Sequence, residues 1–90
     1  MITVHKFALP VHDGPVVVGM PEGAEVLCVQ IQRGAPCLWA RVDSTAPIVE
    51  RAFRVVGTGH DAAGTGTYVG TFQVEGEWGV LVFHVFEAAW

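Results

Sequence analysis

The side chains able to do chemistry in this sequence are few and scattered: four His, two Cys, nine Asp or Glu and five Lys or Arg among 90 residues. Their densest grouping is Gly57-Thr58-Gly59-His60-Asp61, at the head of a Gly-rich stretch that runs to Gly66. Glycine lets backbone approach a ligand closely, and successive N–H groups can cradle an anion. Thr58, Thr65 and Thr67 add hydroxyls, and Arg51 and Arg54 lie just upstream, where a guanidinium could pair with phosphate or carboxylate. Arg51, Arg54, Gly57, Thr58, Gly59, His60 and Asp61 are therefore candidate ligand- or partner-binding residues. Neither G-x-x-x-x-G-K-S/T nor G-x-G-x-x-G is present, and phosphate-cradling loops normally open a helix. A flexible connection between strands is the competing reading.

A second grouping centres on Trp39 and Arg41, with Gln30 and Cys28 on the same face of a hairpin. Trp and Arg dominate the energetics of protein interfaces, and an aromatic beside Arg can also stack a base. Alternatively, Trp39 packs inside an oligomer interface or under a closing sheet. The remaining groups carry less. His5, His12, His60 and His84 form no H-x-H pair; His60-Asp61 offers two ligands, and His5 and His84 would meet only if the terminal strands pair. Cys28 and Cys37 are too few for a disulfide scaffold and lie mid-strand among apolar residues, where a thiol stays protonated and inert. Ser44, the only serine, sits in a turn, and Asp43, Glu50, Asp61, Glu75 and Glu77 sit near turns where carboxylates are solvated. No catalytic constellation, metal site or cofactor is expected.

The net charge of −4 argues against a nucleic-acid partner, which needs a basic footprint. No apolar run approaches the roughly 20 residues that span a bilayer, and Met1–His5 lacks the charged start of a secretion signal. The expectation is an intracellular protein without a membrane partner. Hydrophobic residues make up 51% and charged residues 16%, against about 25% charged in a typical soluble domain. The length suits one domain over residues 1–90.

The elements that position these groups read as strands. Val is abundant, the 11 Gly recur every few positions, and helical periodicity is lacking apart from a possible single turn over Pro47–Ala52. Three two-residue turn signals predict hairpins: Asp13-Gly14, Arg33-Gly34 and Glu75-Gly76. The first gathers Phe7, Leu9, Val11, Val16, Val18 and Met20 on one face. The second gathers Leu27, Val29, Ile31, Leu38, Ala40 and Val42, sets Cys28 opposite Trp39 and leaves Cys37 diagonal to Cys28, too far for an easy disulfide. The third gathers Tyr68, Phe72, Leu81, Phe83 and Val85. With a further strand from about Ile48 or Glu50 to Val56, the prediction is an all-β fold of about seven antiparallel strands, a small barrel or sandwich with little or no helix.

Two hairpins then have a second face that is half apolar and carries Trp39 or Trp78, and Phe86–Trp90 adds further aromatics. One small domain has a single core, so a second copy of the chain is the simplest cover, and a homo-oligomer is expected.

Several segments carry a resemblance. His5-Lys6-Phe7-Ala8-Leu9-Pro10, the run Val26–Asp43, Phe53-Arg54-Val55-Val56-Gly57-Thr58-Gly59-His60, Tyr68-Val69-Gly70-Thr71-Phe72-Gln73 and His84-Val85-Phe86-Glu87 resemble, in order, a family of small uncharacterised proteins of tailed bacteriophages and prophages. The resemblance implies a phage-encoded accessory protein in the cytoplasm of an infected bacterium, acting by stoichiometric binding to a host factor and inhibiting host defence. Two alternatives stand beside it: an oligomer that sequesters an anionic nucleotide signal on Arg51, Arg54 and the Gly57–Gly59 amides, and a minor structural component of the virion.

Overall fold

Val-rich segments separated by Gly, Pro and Asp turns form seven strands and no helix in the computed structural model, which describes residues 1–88. They are β1 (Ile2–Ala8), β2 (Gly14–Pro21), β3 (Glu25–Gln32), β4 (Ala35–Asp43), β5 (Ile48–Gly57), β6 (Thr67–Gly76) and β7 (Gly79–Glu87). Two antiparallel sheets, ordered β1-β4-β3 and β2-β5-β7-β6, make an all-β sandwich. The proposed helical turn at Pro47–Ala52 is instead the entry into β5. Trp90 lies outside the described residues.

The β3–β4 hairpin follows the sequence reading. Arg33 and Gly34 both have positive φ, 52° and 79°, as a two-residue turn between twisted strands requires, and Cys28 pairs with Trp39. Both thiols are free, Cys37 buried and Cys28 half-buried. Two residues of the predicted core face depart: a bulge at Leu27 gives Val26 the inward place and turns Leu27 out to solvent, and Ile31, beside the turn, is exposed.

Asp13-Gly14 is not a hairpin turn. β1 pairs with β4 and β2 with β5, so residues 9–13 cross from one sheet to the other. Leu9 is buried in passing, and its N–H donates to Pro36 O at 2.9 Å. The apolar alternation of Phe7, Leu9, Val16, Val18 and Met20 misled because two strands in facing sheets look into the same core just as a hairpin would; Val11, at the crossing, is exposed. The crossing also separates the terminal strands, so His5 and His84 do not meet.

The last turn lies two residues later than expected, at Glu77-Trp78, closed by the Gly76–Gly79 pair. A two-residue slip preserves the faces, so Phe72, Phe83 and Val85 are core as predicted. A bulge at Val69 reverses only its neighbourhood, turning Tyr68 outward against Phe86 while Val69 packs on the core. Next to it, Gly70 lets β6 run hard against β3. A Cβ there would stand 2.7 Å from Val29 Cγ1, so the junction of the two sheets has room for no side chain. Phe53, Met20, Leu38, Val42, Val55 and Val85 fill the space between the layers.

Candidate functional site

β5 and β6 flank β7 and run parallel to each other, so the connection from Gly57 to Thr67 must return along the length of the sheet. It does so over the outer face, where polar groups hold it in place. The Gly57 N–H donates to Asp13 Oδ1 at 2.5 Å, and the other oxygen of Asp13 bonds His60 Nδ1. The Thr58 N–H and hydroxyl both donate to Val82 O, at 3.0 and 3.1 Å. Arg54, on the outward side of β5, donates to Asp61 O at 3.0 Å and Ala63 O at 3.2 Å, and Asp61 Oδ1 accepts from the Ala63 N–H at 3.0 Å. Val56 also faces outward yet is buried, and it lines a cavity of about 230 Å³ with Asp13, Arg54, His60 and Asp61.

The Gly57 N–H, followed by His60 and Arg54, holds the Asp13 carboxyl below the ordinary carboxylate range, against a smaller opposing effect of desolvation. A Cβ at Gly57 would lie 3.0 Å from His60 Nδ1 and 3.4 Å from Asp13 Oδ2, so any larger residue presses on the Asp13–His60 pair.

This geometry revises the anion site drawn from the sequence. The Gly57 and Thr58 amides already bond Asp13 and Val82, so no nest is formed by them. Arg51 and Arg54, three apart on a regular strand, point to opposite faces. Arg51 faces the interior edge of the sandwich, where Nε donates to Glu87 Oε2 at 2.6 Å, Nη2 to Glu87 Oε1 at 3.0 Å and Nη1 to Ala24 O at 2.8 Å. The bonds to Glu87 raise its affinity for the proton further, so Arg51 is a fixed cation with its partners in place.

Beside the loop, a polar chain crosses the outer face of β6 and β7. Tyr68 Oη lies 2.6 Å from Thr71 Oγ1, which lies 3.0 Å from His84 Nδ1, and His84 Nε2 lies 2.7 Å from Thr58 Oγ1. One proton assignment satisfies every bond. Thr58 donates to Val82 O and accepts from His84 Nε2–H. His84 Nδ1 then accepts from Thr71, and Thr71 accepts from Tyr68.

Trp39 and Arg41 lie elsewhere, on the outer face of the three-stranded sheet. Trp39 is half-buried between its cross-strand neighbours Lys6 and Cys28. Around it Ile2, Val4 and Leu27 are exposed, by 67%, 52% and 42%. The charged groups of this face have hydrogen-bonding or ionic partners close by. Arg41 Nη1 is 3.5 Å from Glu25 Oε1, Lys6 Nζ donates to Gln32 Oε1 at 2.7 Å, and Asp43 accepts from the N–H and hydroxyl of Thr45. Those two Thr45 bonds hold Asp43 below the ordinary carboxylate range, with a smaller contribution from the N-terminal ammonium.

The predicted residues thus fall into three places rather than one surface. Trp39 and Arg41 occupy one outer face, Arg54 with Gly57–Asp61 the other, and Arg51 the interior edge. Sequence reasoning missed Asp13 and Glu87, whose partners are 44 and 36 residues away, and it put Trp78 on a sheet face rather than at a hairpin tip. The signal for Trp78 was the Gly-Glu-Trp-Gly spacing, which suits a tip as well as a strand. Among the described residues no group of three or more His, Cys, Asp or Glu could hold a metal ion, and no helix is long and apolar enough to cross a membrane.

Residues 1–89 match the model of a family described as "Domain of unknown function (DUF7352)". No curated protein and no solved structure matches the chain.

Proposed function

We propose that the chain, which belongs to the DUF7352 family, acts by stoichiometric protein binding, as its surfaces support; the resemblance to small phage proteins extends this reading to a phage-encoded accessory protein that engages a host factor in the bacterial cytoplasm and inhibits host defence. One observation carries this reading: large apolar side chains are exposed where the polar and charged groups already have hydrogen-bonding or ionic partners. Around Trp39 the face presents Ile2, Val4 and Leu27, while Arg41, Lys6 and Asp43 each have a partner close by. An apolar centre with a matched polar rim is the anatomy of a protein–protein contact. It also supports a second copy of the chain as the cover of this face. The polar clusters, by contrast, are spent on holding the loop, which supports a binding role over a catalytic one.

Size-exclusion chromatography with light scattering, followed by pull-down from host lysate, tests the reading. The expected result is a mass above the 9.6 kDa monomer that falls to it in Val4→Lys, and a host protein retained in fixed ratio. A monomer at all concentrations that retains nothing overturns it.

A further inference from the structure

β7 pairs with β5 only from Phe83 to Glu87, so Gly79–Val82 and their β6 partners Gln73–Gly76 continue past the end of β5 as a two-stranded ribbon. The ribbon's inner face touches the molecule: Val74 packs on the core, and Ile31, Gly34, Gln73, Val74 and Glu75 line a shallow cavity. Its end does not. Trp78 is 94% exposed, the highest value among the described large apolar side chains, and Val80 and Leu81 behind it are 58% and 49% exposed. Neither Glu77 nor Trp78 has positive φ, so the turn accepts most residue types and does not itself call for a tryptophan. Trp78 presents a large apolar side chain at an exposed hairpin tip, where it can act as an anchor for a partner's pocket.

The charge around it selects the partner. Glu75 and Glu77 flank the tip, and from Val55 to Trp90 the sequence contains no Lys or Arg. An acidic ribbon repels the same ribbon of a second copy, an anionic lipid surface and a nucleic acid alike. It is complementary to a protein surface with basic groups around an apolar depression.

We propose that the β6–β7 ribbon is the element that reaches the host factor, with Trp78 entering an apolar socket of that protein and Glu75 and Glu77 meeting Lys or Arg on its rim. The proposal rests on the stoichiometric-binding reading above and adds the contact and the chemistry of the partner.

The test uses the full chain and the host protein it retains, purified and titrated by calorimetry. Trp78→Ala should weaken binding at least tenfold. The double variant Glu75→Lys, Glu77→Lys should do the same and flatten the salt dependence seen with the native chain. Val17→Lys, at an exposed position of β2 on the sheet edge opposite β6, should leave this affinity unchanged. Equal thermal midpoints for the native chain and Trp78→Ala confirm that the fold is intact. If Trp78→Ala and the charge reversal bind as the native chain does while Val4→Lys loses binding, the ribbon proposal falls and the binding reading stands. If no protein is retained in fixed ratio, both fall. Trp78-dependent sedimentation with neutral phosphatidylcholine vesicles, or a Trp78-dependent dimer in light scattering, would overturn the proposal by giving the tip a lipid surface or a second copy as its occupant.

Discussion

Two extensions leave the same end of the four-stranded sheet, where β5 stops at Gly57 opposite Phe83. One is the 57–66 loop and the other is the β6–β7 ribbon. The loop is rich in hydrogen-bonding groups, and most of them are used: Asp13 takes the Gly57 amide and His60, Arg54 takes two loop carbonyls, and Val82 O takes Thr58. The ribbon has few polar groups and leaves Trp78, Val80 and Leu81 largely in water. In the sequence the loop looks like the site and the ribbon like a connection. Physically the order reverses. A satisfied polar group gives up little to a ligand, because binding would first have to break what it has. An exposed tryptophan gains from almost any apolar cover.

β7 contains the same contrast within one strand, since Arg51 clamps it at Glu87 and its other end is bare. Arg51→Met should have the largest effect on stability, because it leaves the Glu87 carboxylate and the Ala24 carbonyl without a charged donor. A loss of about 2–3 kcal/mol is expected, in the range for hydrogen bonds to charged groups, read from urea denaturation at constant slope. If Arg51→Met cost no more than a substitution at the ribbon tip, the distinction between clamped and bare ends would fail.

How much of this was legible in the sequence depends on how far apart the partners stand. Arg33-Gly34 was readable because the turn and the alternation it organises are adjacent, and the Cys28–Trp39 register followed from counting outward. Asp13-Gly14 carries the same local signal, but β1 finds its partner in β4, a tertiary choice that leaves the apolar alternation unchanged. The bulges at Leu27 and Val69 invert single residues and leave no mark in composition. The loop stands out in the sequence by its Gly and Thr, yet what holds it could not be read there, since the group that occupies its amide comes from Asp13, in the crossing between the sheets. Arg51 and Arg54 could have been separated on strand parity alone, three positions apart in one strand.

Acid should loosen the loop before the ribbon. The folded-state pKa of Asp13 lies below its unfolded value, so its contribution is fully present above about pH 4 and is lost as pH falls through the folded value. Amide hydrogen exchange, corrected for its intrinsic pH dependence, should show Gly57–Thr65 losing protection below about pH 4 while Gln73–Val82 keep theirs. Asp13→Asn should give the unprotected loop already at pH 7 and abolish this transition. Protection that falls equally in both segments would mean that Asp13 does not hold the loop by itself.

The smallest effect on stability belongs to the residue with the largest proposed effect on binding. Trp78 is 94% exposed, so truncating it removes almost no buried area, and Trp78→Ala should stay within about 0.5 kcal/mol of the native chain in urea denaturation. The turn itself does not depend on the indole, because Gly76 and Gly79 close it through the backbone ladder. Exchange protection across Gln73–Val82 should therefore also be unchanged. A loss of more than 1 kcal/mol would show that the ring holds the ribbon against the body of the molecule. The tip would then be a structural element like the loop, and the two extensions would differ only in the kind of contact that fixes them.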